Sequence, residues 1–349
     1  YNGDHYGKVI WTKDQTIAAF PLKYYSNESQ KEEGTVYAKM ETRLFQKLSA
    51  FADIQLRNVS YHFEGPEVGG NYLPQHVDYA FFNPKLGLSY SLKEKQRIYA
   101  SAGVGQKEPV RDDFINSSFQ SRPLPEKLTD YELGYELESG KLRLVLNGYF
   151  MDYNDQLILN GKINDVGEYT RQNVDKSYRK GIELELYYLL SPKLHFEANV
   201  TISKNKIEVF DEYIDDYDTE TQILRQFSST DIAFSPSLIA AGMLTWNPVK
   251  SLSISFTGKY VDQQYLDNTQ NPTRKIDSYL INDLRLYYKI SMKSIKELGL
   301  KVQVNNLFNT EYSSNGYTYS YIYGGDSSTF NYYYPQAGRN LMVGINLQF

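Results

Sequence analysis

The sequence ends LMVGINLQF, residues 341 to 349. Leu341, Val343, Ile345, Leu347 and Phe349 alternate with Met342, Gly344, Asn346 and Gln348. A period of two places one set on each face of a β-strand. The same alternation recurs toward the N-terminus. Leu298, Leu300, Val302 and Val304 oppose Lys301 and Gln303, and Leu252, Ile254, Phe256 and Tyr260 oppose Ser253, Ser255, Thr257 and Lys259. Leu194, Phe196, Ala198, Val200 and Ile202 oppose His195, Glu197, Asn199 and Thr201. Leu142, Leu144, Leu146 and Phe150 oppose Lys141, Arg143 and Asn147, and Val36, Ala38, Met40 and Leu44 oppose Tyr37, Lys39, Glu41 and Arg43. Helical spacing fits none of these segments.

The connections sort into two kinds that alternate along the chain. Short ones fall at 45 to 47, 92 to 96, 138 to 140, 191 to 192, 247 to 249 and 291 to 296. Long ones run over 59 to 79, 106 to 127, 153 to 179, 205 to 234, 262 to 277 and 308 to 338. Short turns on one side and long loops on the other predict an all-β, transmembrane antiparallel β-barrel of the outer-membrane type, with the long loops outside. About fourteen strands are expected, counting a weaker one near 5 to 11. A soluble β-sandwich or propeller is the alternative. Against it, charged runs such as Lys39, Glu41 and Arg43 sit opposite largely apolar faces, as a wet lumen permits and a buried second face does not.

Composition removes other classes. With no Cys, disulfide scaffolds, thiolate metal sites and cysteine nucleophiles are excluded. A net charge of -5 without a Lys/Arg-rich block argues against nucleic-acid partners. No run of about 18 apolar residues exists to form a membrane-spanning helix, whereas strands need only alternate residues apolar. The 33 Tyr suit aromatic girdles and external binding loops. No Ser/His/Asp set has the spacing of a hydrolase, so no enzyme is expected.

Residues Asn305, Asn306, Leu307, Phe308, Asn309, Thr310, Glu311 and Tyr312 resemble the C-terminal signature of TonB-dependent outer-membrane receptors, followed by a long loop and then Gly338, Arg339 and a last strand ending in Phe349. Asp53 to Arg57, Glu108 to Phe114 and Asn173 to Glu185 are similar to the same family, so the resemblance covers essentially the whole of 1–349. It implies a bacterial outer-membrane location and uptake of a scarce nutrient, foremost an iron chelate or siderophore, with haem, cobalamin or an oligosaccharide as alternatives. It also implies a 22-strand barrel around an N-terminal plug, and energy supplied by TonB. Neither plug nor TonB box is found in the sequence, so the chain is expected to be the C-terminal portion of such a barrel. Its expected partners are its own plug and N-terminal barrel strands, TonB, outer-membrane lipid and a small-molecule nutrient, with a surface lipoprotein as a further candidate. A passive porin-like barrel is the competing functional class.

Candidate site residues lie in the long loops. Tyr317, Tyr319, Tyr321 and Tyr323 alternate, so an extended hairpin arm would present their phenols on one side, and Tyr332 and Tyr333 of the same loop are further candidates. Flat rings with polar tips suit aromatic chelators and sugars. Arg111 offers a cation to an anionic ligand. Asp211, Asp215, Asp216 and Asp218 sit in a run of seven acids from Glu208 to Glu220, making Ca²⁺ the one candidate cofactor, although the spacing is not that of an EF-hand loop. His62 and His76 share one predicted loop and are the candidate ligands for haem iron.

Overall fold

The computed structural model describes residues 1–13, 23–65, 75–115, 122–163, 169–292 and 295–348. Apart from one short helix, α1 (Arg111–Ile115), the regular elements among them are strands. Thirteen form a continuous antiparallel wall: β2 (Lys23–Phe45), β3 (Leu48–Glu64), β4 (Gln75–Lys93), β5 (Gln96–Lys107), β6 (Glu126–Glu138), β7 (Leu142–Ile163), β8 (Tyr169–Ser191), β9 (Leu194–Asp216), β11 (Leu238–Val249), β12 (Leu252–Val261), β15 (Tyr279–Met292), β16 (Ile295–Asn305) and β19 (Asn340–Gln348). Each pairs with its neighbour in that order. Among the described residues no ladder joins β19 to β2, so each carries one open edge.

Outward residues of this wall are apolar and have no protein covering them. Leu133 is 62 % exposed, and the cross-strand pair Ile182 and Ile202 is 56 % and 61 % exposed. Such a continuous apolar exterior is the lipid-facing band of an outer-membrane barrel. Inward positions carry ions and amides instead: Arg97 pairs with Glu136, and Lys289 with Glu297. His195 lies 3.4 Å from Glu197 on this wet face, as the alternation implied. Bulky inward rings are accommodated by glycine, for a Cβ on Gly134 would meet the Tyr99 ring at 2.1 Å.

The thirteen strands expected from 36 to 349 are all found in the wall, while the fourteenth, expected near 5 to 11, is not part of it. β1 (Asn2–Lys8) pairs only with residues 23–30 of β2, above the level where Val36 begins the apolar face. It therefore extends the rim and does not cross the band. The turn expected at 247 to 249 follows Val249, because a register shift between Trp246 and Val249 lengthens β11.

The larger difference concerns the long loops, which are mostly β-hairpins rising beyond the membrane. Residues 205 to 234 continue β9 to Asp216 and return as β10 (Thr221–Asp231). Residues 308 to 338 hold a hairpin of β17 (Ser313–Tyr323) and β18 (Asp326–Pro335). Between β12 and β15, β13 (Gln264–Tyr265) and β14 (Lys275–Ile276) form a small ladder. The protein-packed core sits here, around Val59, Phe63, Phe114, Ile207, Phe210, Ile214 and Leu266, where water rather than lipid surrounds the chain and apolar side chains must cover one another.

Leu186→Arg, at the middle of the apolar band on β8, should cost about 2–4 kcal/mol in a vesicle-based unfolding measurement. Glu185→Arg, facing the lumen one residue away, should change stability by no more than about 0.5 kcal/mol.

Candidate functional site

The extracellular cap is built where the β9–β10 hairpin, the 262–277 connection and the β17–β18 hairpin meet. The last of these is set by its turn. Gly324 and Gly325 both take positive φ, 65° and 79°, which a two-residue type I′ hairpin requires and side chains resist. Tyr323 then pairs with Asp326, and Tyr317 with Tyr332.

One face of the hairpin is buried on the cap. Thr318 and Ser320 line the site of Arg274, a residue only 4 % exposed, whose guanidinium donates to Glu212 and, at 2.7 Å, to Asp267. A buried cation held by two carboxylates is satisfied only while all three are present. Fully buried Asn268 clips three segments together: its Oδ1 accepts from the Ala233 amide at 2.8 Å, and its Nδ2 donates to the Leu159 carbonyl at 2.7 Å. A cavity of about 80 Å³ remains between Arg274, Asn160, Gln172, Glu212, Thr318 and Ser320.

The opposite face is aromatic and open. Tyr317 stacks on Tyr332 at 4.8 Å between centroids and lies 6.2 Å from Tyr334. Tyr321 stacks on Phe330 at 6.0 Å and neighbours Tyr319 at 5.6 Å. The four alternating tyrosines thus share one face as their spacing implied, with Tyr323 exposed at the turn. Tyr333 does not join them: it takes the buried side, and its hydroxyl donates to the Lys275 carbonyl at 3.1 Å.

A latch fastens this hairpin to the tip of β9. The Asp218 carboxylate accepts the Gly324 and Gly325 amides at 2.8 and 2.7 Å, and these bonds hold its pKa below the ordinary 3.8. The Tyr217 and Tyr319 hydroxyls bond at 2.8 Å, which pushes Tyr319 up to about 12. The remaining candidate aspartates have separate duties. Asp211 accepts from Gln226, Asp215 from Gln222, and Asp216 from the Asp218 amide. Read along the sequence these acids form a loop, but they lie on a strand, so Asp211 and Asp215 point away from Asp216. Among the described residues no three His, Asp or Glu side chains gather as a metal ion would need.

His62 and His76 are brought together, though not at the aromatic face. They are cross-strand partners with rings 6.0 Å apart on the outward side of β3 and β4. Arg111 opens helix α1 and lies 3.7 Å from Asp112. Beside it, sequence reading missed a buried cluster: Glu108 bonds Lys31 and Arg57 at 2.7 Å each, and Arg57 also grips Glu33. Burial raises the Glu108 pKa, but the Arg57 and Lys31 bonds win and hold it at about 2.

The Asn306 to Asn309 signature proves to be a clasp. Asn306 and Asn309 take positive φ, which asparagine tolerates. Asn306 accepts the Thr310 amide and donates to the Thr310 and Ala337 carbonyls. Asn309 accepts the Arg339 amide at 2.8 Å. Leu307 fastens through its amide to the Asn282 carbonyl, whereas the Phe308 side chain is exposed. The Tyr312 ring packs tilted against Tyr279, 4.6 Å between centroids. The motif thereby ties the top of β16 to the start of β19 across the intervening hairpin. Phe349 lies outside the described residues.

A family model described as TonB dependent receptor-like, beta-barrel matches residues 1–307. Among solved structures, the ferric-catecholate import receptor Fiu of E. coli K12 superposes with a TM-score of 0.72 at 17% identity, covering 100% of this chain and 50% of that one. The ferric citrate transporter FecA gives 0.71 at 18% identity, covering 95% and 47%. The siderophore receptor PiuA of Acinetobacter baumannii gives 0.70 at 16%, covering 93% and 44%. The chain thus spans about half the length of these structures. No curated protein matches its sequence.

Arg274→Met should leave Glu212 and Asp267 buried without their cation and cost about 3–5 kcal/mol locally, read as lost amide-exchange protection in residues 313–335. The latch should follow the sign of its titration. Because the Asp218 pKa is depressed on folding, its bonds contribute fully above the ordinary value of 3.8 and are lost as pH falls through the lower folded value. Protection of the Gly324 and Gly325 amides, corrected for intrinsic rates, should therefore be level from pH 8 to 5 and fall only in stronger acid.

Proposed function

Since the chain belongs to the TonB-dependent receptor β-barrel family, we propose that it forms wall and extracellular mouth of an outer-membrane receptor that captures an iron chelate and imports it with energy supplied by TonB. The open aromatic face of the β17–β18 hairpin carries this reading. It offers stacked phenols on a rigid base, held from behind by Arg274 and Asn268 and at its tip by Asp218. Flat chelators stack on such rings, and their oxygens meet the phenol hydroxyls at the edges. The similarity to a ferric-catecholate receptor and a ferric citrate transporter favours iron chelates over haem, cobalamin or an oligosaccharide. The cross-strand His62 and His76 favour haem less, because they face away from the lumen side.

In this reading the barrel performs no covalent chemistry. Its wall supplies a charged, wet interior, its cap supplies affinity, and the open edges of β2 and β19 pair with further strands of the same barrel. Plug and TonB contacts belong to parts of the receptor beyond these residues.

A deletion strain under iron limitation should lose growth on one class of ferric chelate while keeping growth on haem and cobalamin. Tyr317→Ala and Tyr332→Ala should each weaken binding of that chelate roughly two- to tenfold, with Tyr333→Phe unchanged. Uptake that persists without TonB would instead establish a passive pore.

A further inference from the structure

The outward side of β1 to β4 carries a second feature, above the bilayer, where the register lays residues out in three successive rows. Asp4, Glu28 and Glu64 are cross-strand partners in the uppermost row. Asn2, Gln30, His62 and His76 form the next, and Glu32, Ser60 and Asp78 the third. These rows hold five carboxylates and two imidazoles, with neither Lys nor Arg among them. Lys31 and Arg57 belong to the opposite face, where they are engaged by Glu33 and Glu108. Lys8 and Lys23 pair further along β1 and β2, with the Lys23 amine 5.1 Å over the Tyr6 ring.

Strand geometry fixes the level. His62 stands about fourteen residues above Leu48, where β3 leaves its turn. At ~3.3 Å per residue and a tilt of ~40°, that is about 35 Å, beyond an apolar band of about 25 Å. The outward residues of β3 agree, for Ile54 and Leu56 give way to Asn58 and Ser60 below the histidine. Both imidazoles therefore meet water, and their side chains are 44 % and 57 % exposed.

Imidazole nitrogens suit Zn²⁺, Cu²⁺ and Ni²⁺, whereas hard cations such as Ca²⁺ take oxygen. A nitrogen binds such an ion at ~2.0 Å, so two rings on one ion have centres between about 4.5 Å and about 6.3 Å apart, according to the angle they subtend. The His62 and His76 rings are 6.0 Å apart and tilted by 52°, within that span. The Asp78 carboxylate lies 2.9 Å from the His76 Nε2 and the Glu64 carboxylate 3.8 Å from the His62 Nε2. Like charges directly opposite on a sheet repel, so a cation beside Asp4, Glu28 and Glu64 is doubly favoured: it is drawn by the acids and relieves their repulsion. Among the described residues no third His, Asp or Glu closes around the pair as an enclosed ion needs, so water completes the coordination.

We propose that His62 and His76 chelate one divalent transition-metal ion in an exposed two-histidine site that clips β3 to β4 above the bilayer, with the flanking carboxylates holding the ion's charge. The order of affinities for nitrogen ligands puts Cu²⁺ first and Zn²⁺ and Ni²⁺ behind it. The site faces away from the lumen and from the aromatic hairpin, so it is independent of the imported nutrient.

The test uses the detergent-purified receptor carrying this chain, free of any polyhistidine tag, with Zn²⁺ in calorimetric titrations and Cu²⁺ in electron paramagnetic resonance. The wild type and the lumen-side control His195→Ala should bind one more Zn²⁺ per chain than the His62→Ala/His76→Ala double variant. Each single variant should hold that ion at least about tenfold more weakly, since losing a ligand costs no less than losing one of its outer partners. The Cu²⁺ spectrum of the wild type should carry couplings from two imidazoles that the double variant lacks, and excess Ca²⁺ should not displace Zn²⁺. Both rings are exposed, so in chelator the variants should unfold at the wild-type temperature. Equal Zn²⁺ uptake by the double variant would overturn the proposal, because the carboxylates alone would then hold the ion. So would displacement by Ca²⁺, or a Cu²⁺ spectrum that the double variant leaves unchanged.

Discussion

Peptide groups in hydrocarbon have no water to turn to, and everything in this fold follows from that. Each N–H and C=O at the level of the bilayer must find its partner on a neighbouring strand. The thirteen wall strands meet this condition along their shared ladders. Only the outer edges of β2 and β19 do not, and both side-chain faces of these strands are uncovered: Tyr37 and Met342 are 74 % and 60 % exposed although they sit on the lumen-side parity. A lipid-embedded sheet cannot leave such edges bare. Strand neighbours on both sides are what the physics asks for, in keeping with a chain that spans about half the length of the structures it resembles.

Above the bilayer the constraint is lifted and a different chemistry takes over. Water can now satisfy loose backbone, so the hairpins need a core and polar clips to hold them still. Leu266, Ile207 and Phe210 supply the first; Arg274, Asn268 and Asp218 supply the second. A rigid aromatic surface results, and in its proposed role as a binding platform that rigidity means little entropy is lost when a ligand arrives.

What could be read from the sequence follows the same division. In the wall, one environment on each face imposes a strict period of two, so Leu341 to Leu347 or Leu194 to Ile202 declare themselves, and the short turns follow. The asparagines of the 306 to 309 clasp were recognisable by resemblance, though their job of tying β16 to β19 emerges only from the hydrogen bonds. In the cap the code is mixed. Phe210, Glu212, Ile214 and Asp216 share a buried face in which apolar and acidic residues alternate, and the acids made a strand look like a solvated loop. Arg274 stands alone in a stretch of turn residues, and nothing local announces that Glu212, 62 positions away, is its partner.

The most direct measurement uses the absence of cysteine. Single cysteines placed in turn at Ile182, Glu183, Leu184, Glu185 and Leu186 can be probed in intact outer membranes with a small water-soluble thiol reagent and with a lipid-confined quencher. Positions 183 and 185 should react from water, while 182, 184 and 186 should be reached only from the lipid. Uniform reactivity along the segment, or an absence of lipid contact at the even positions, would contradict the membrane wall and the proposed import role built on it.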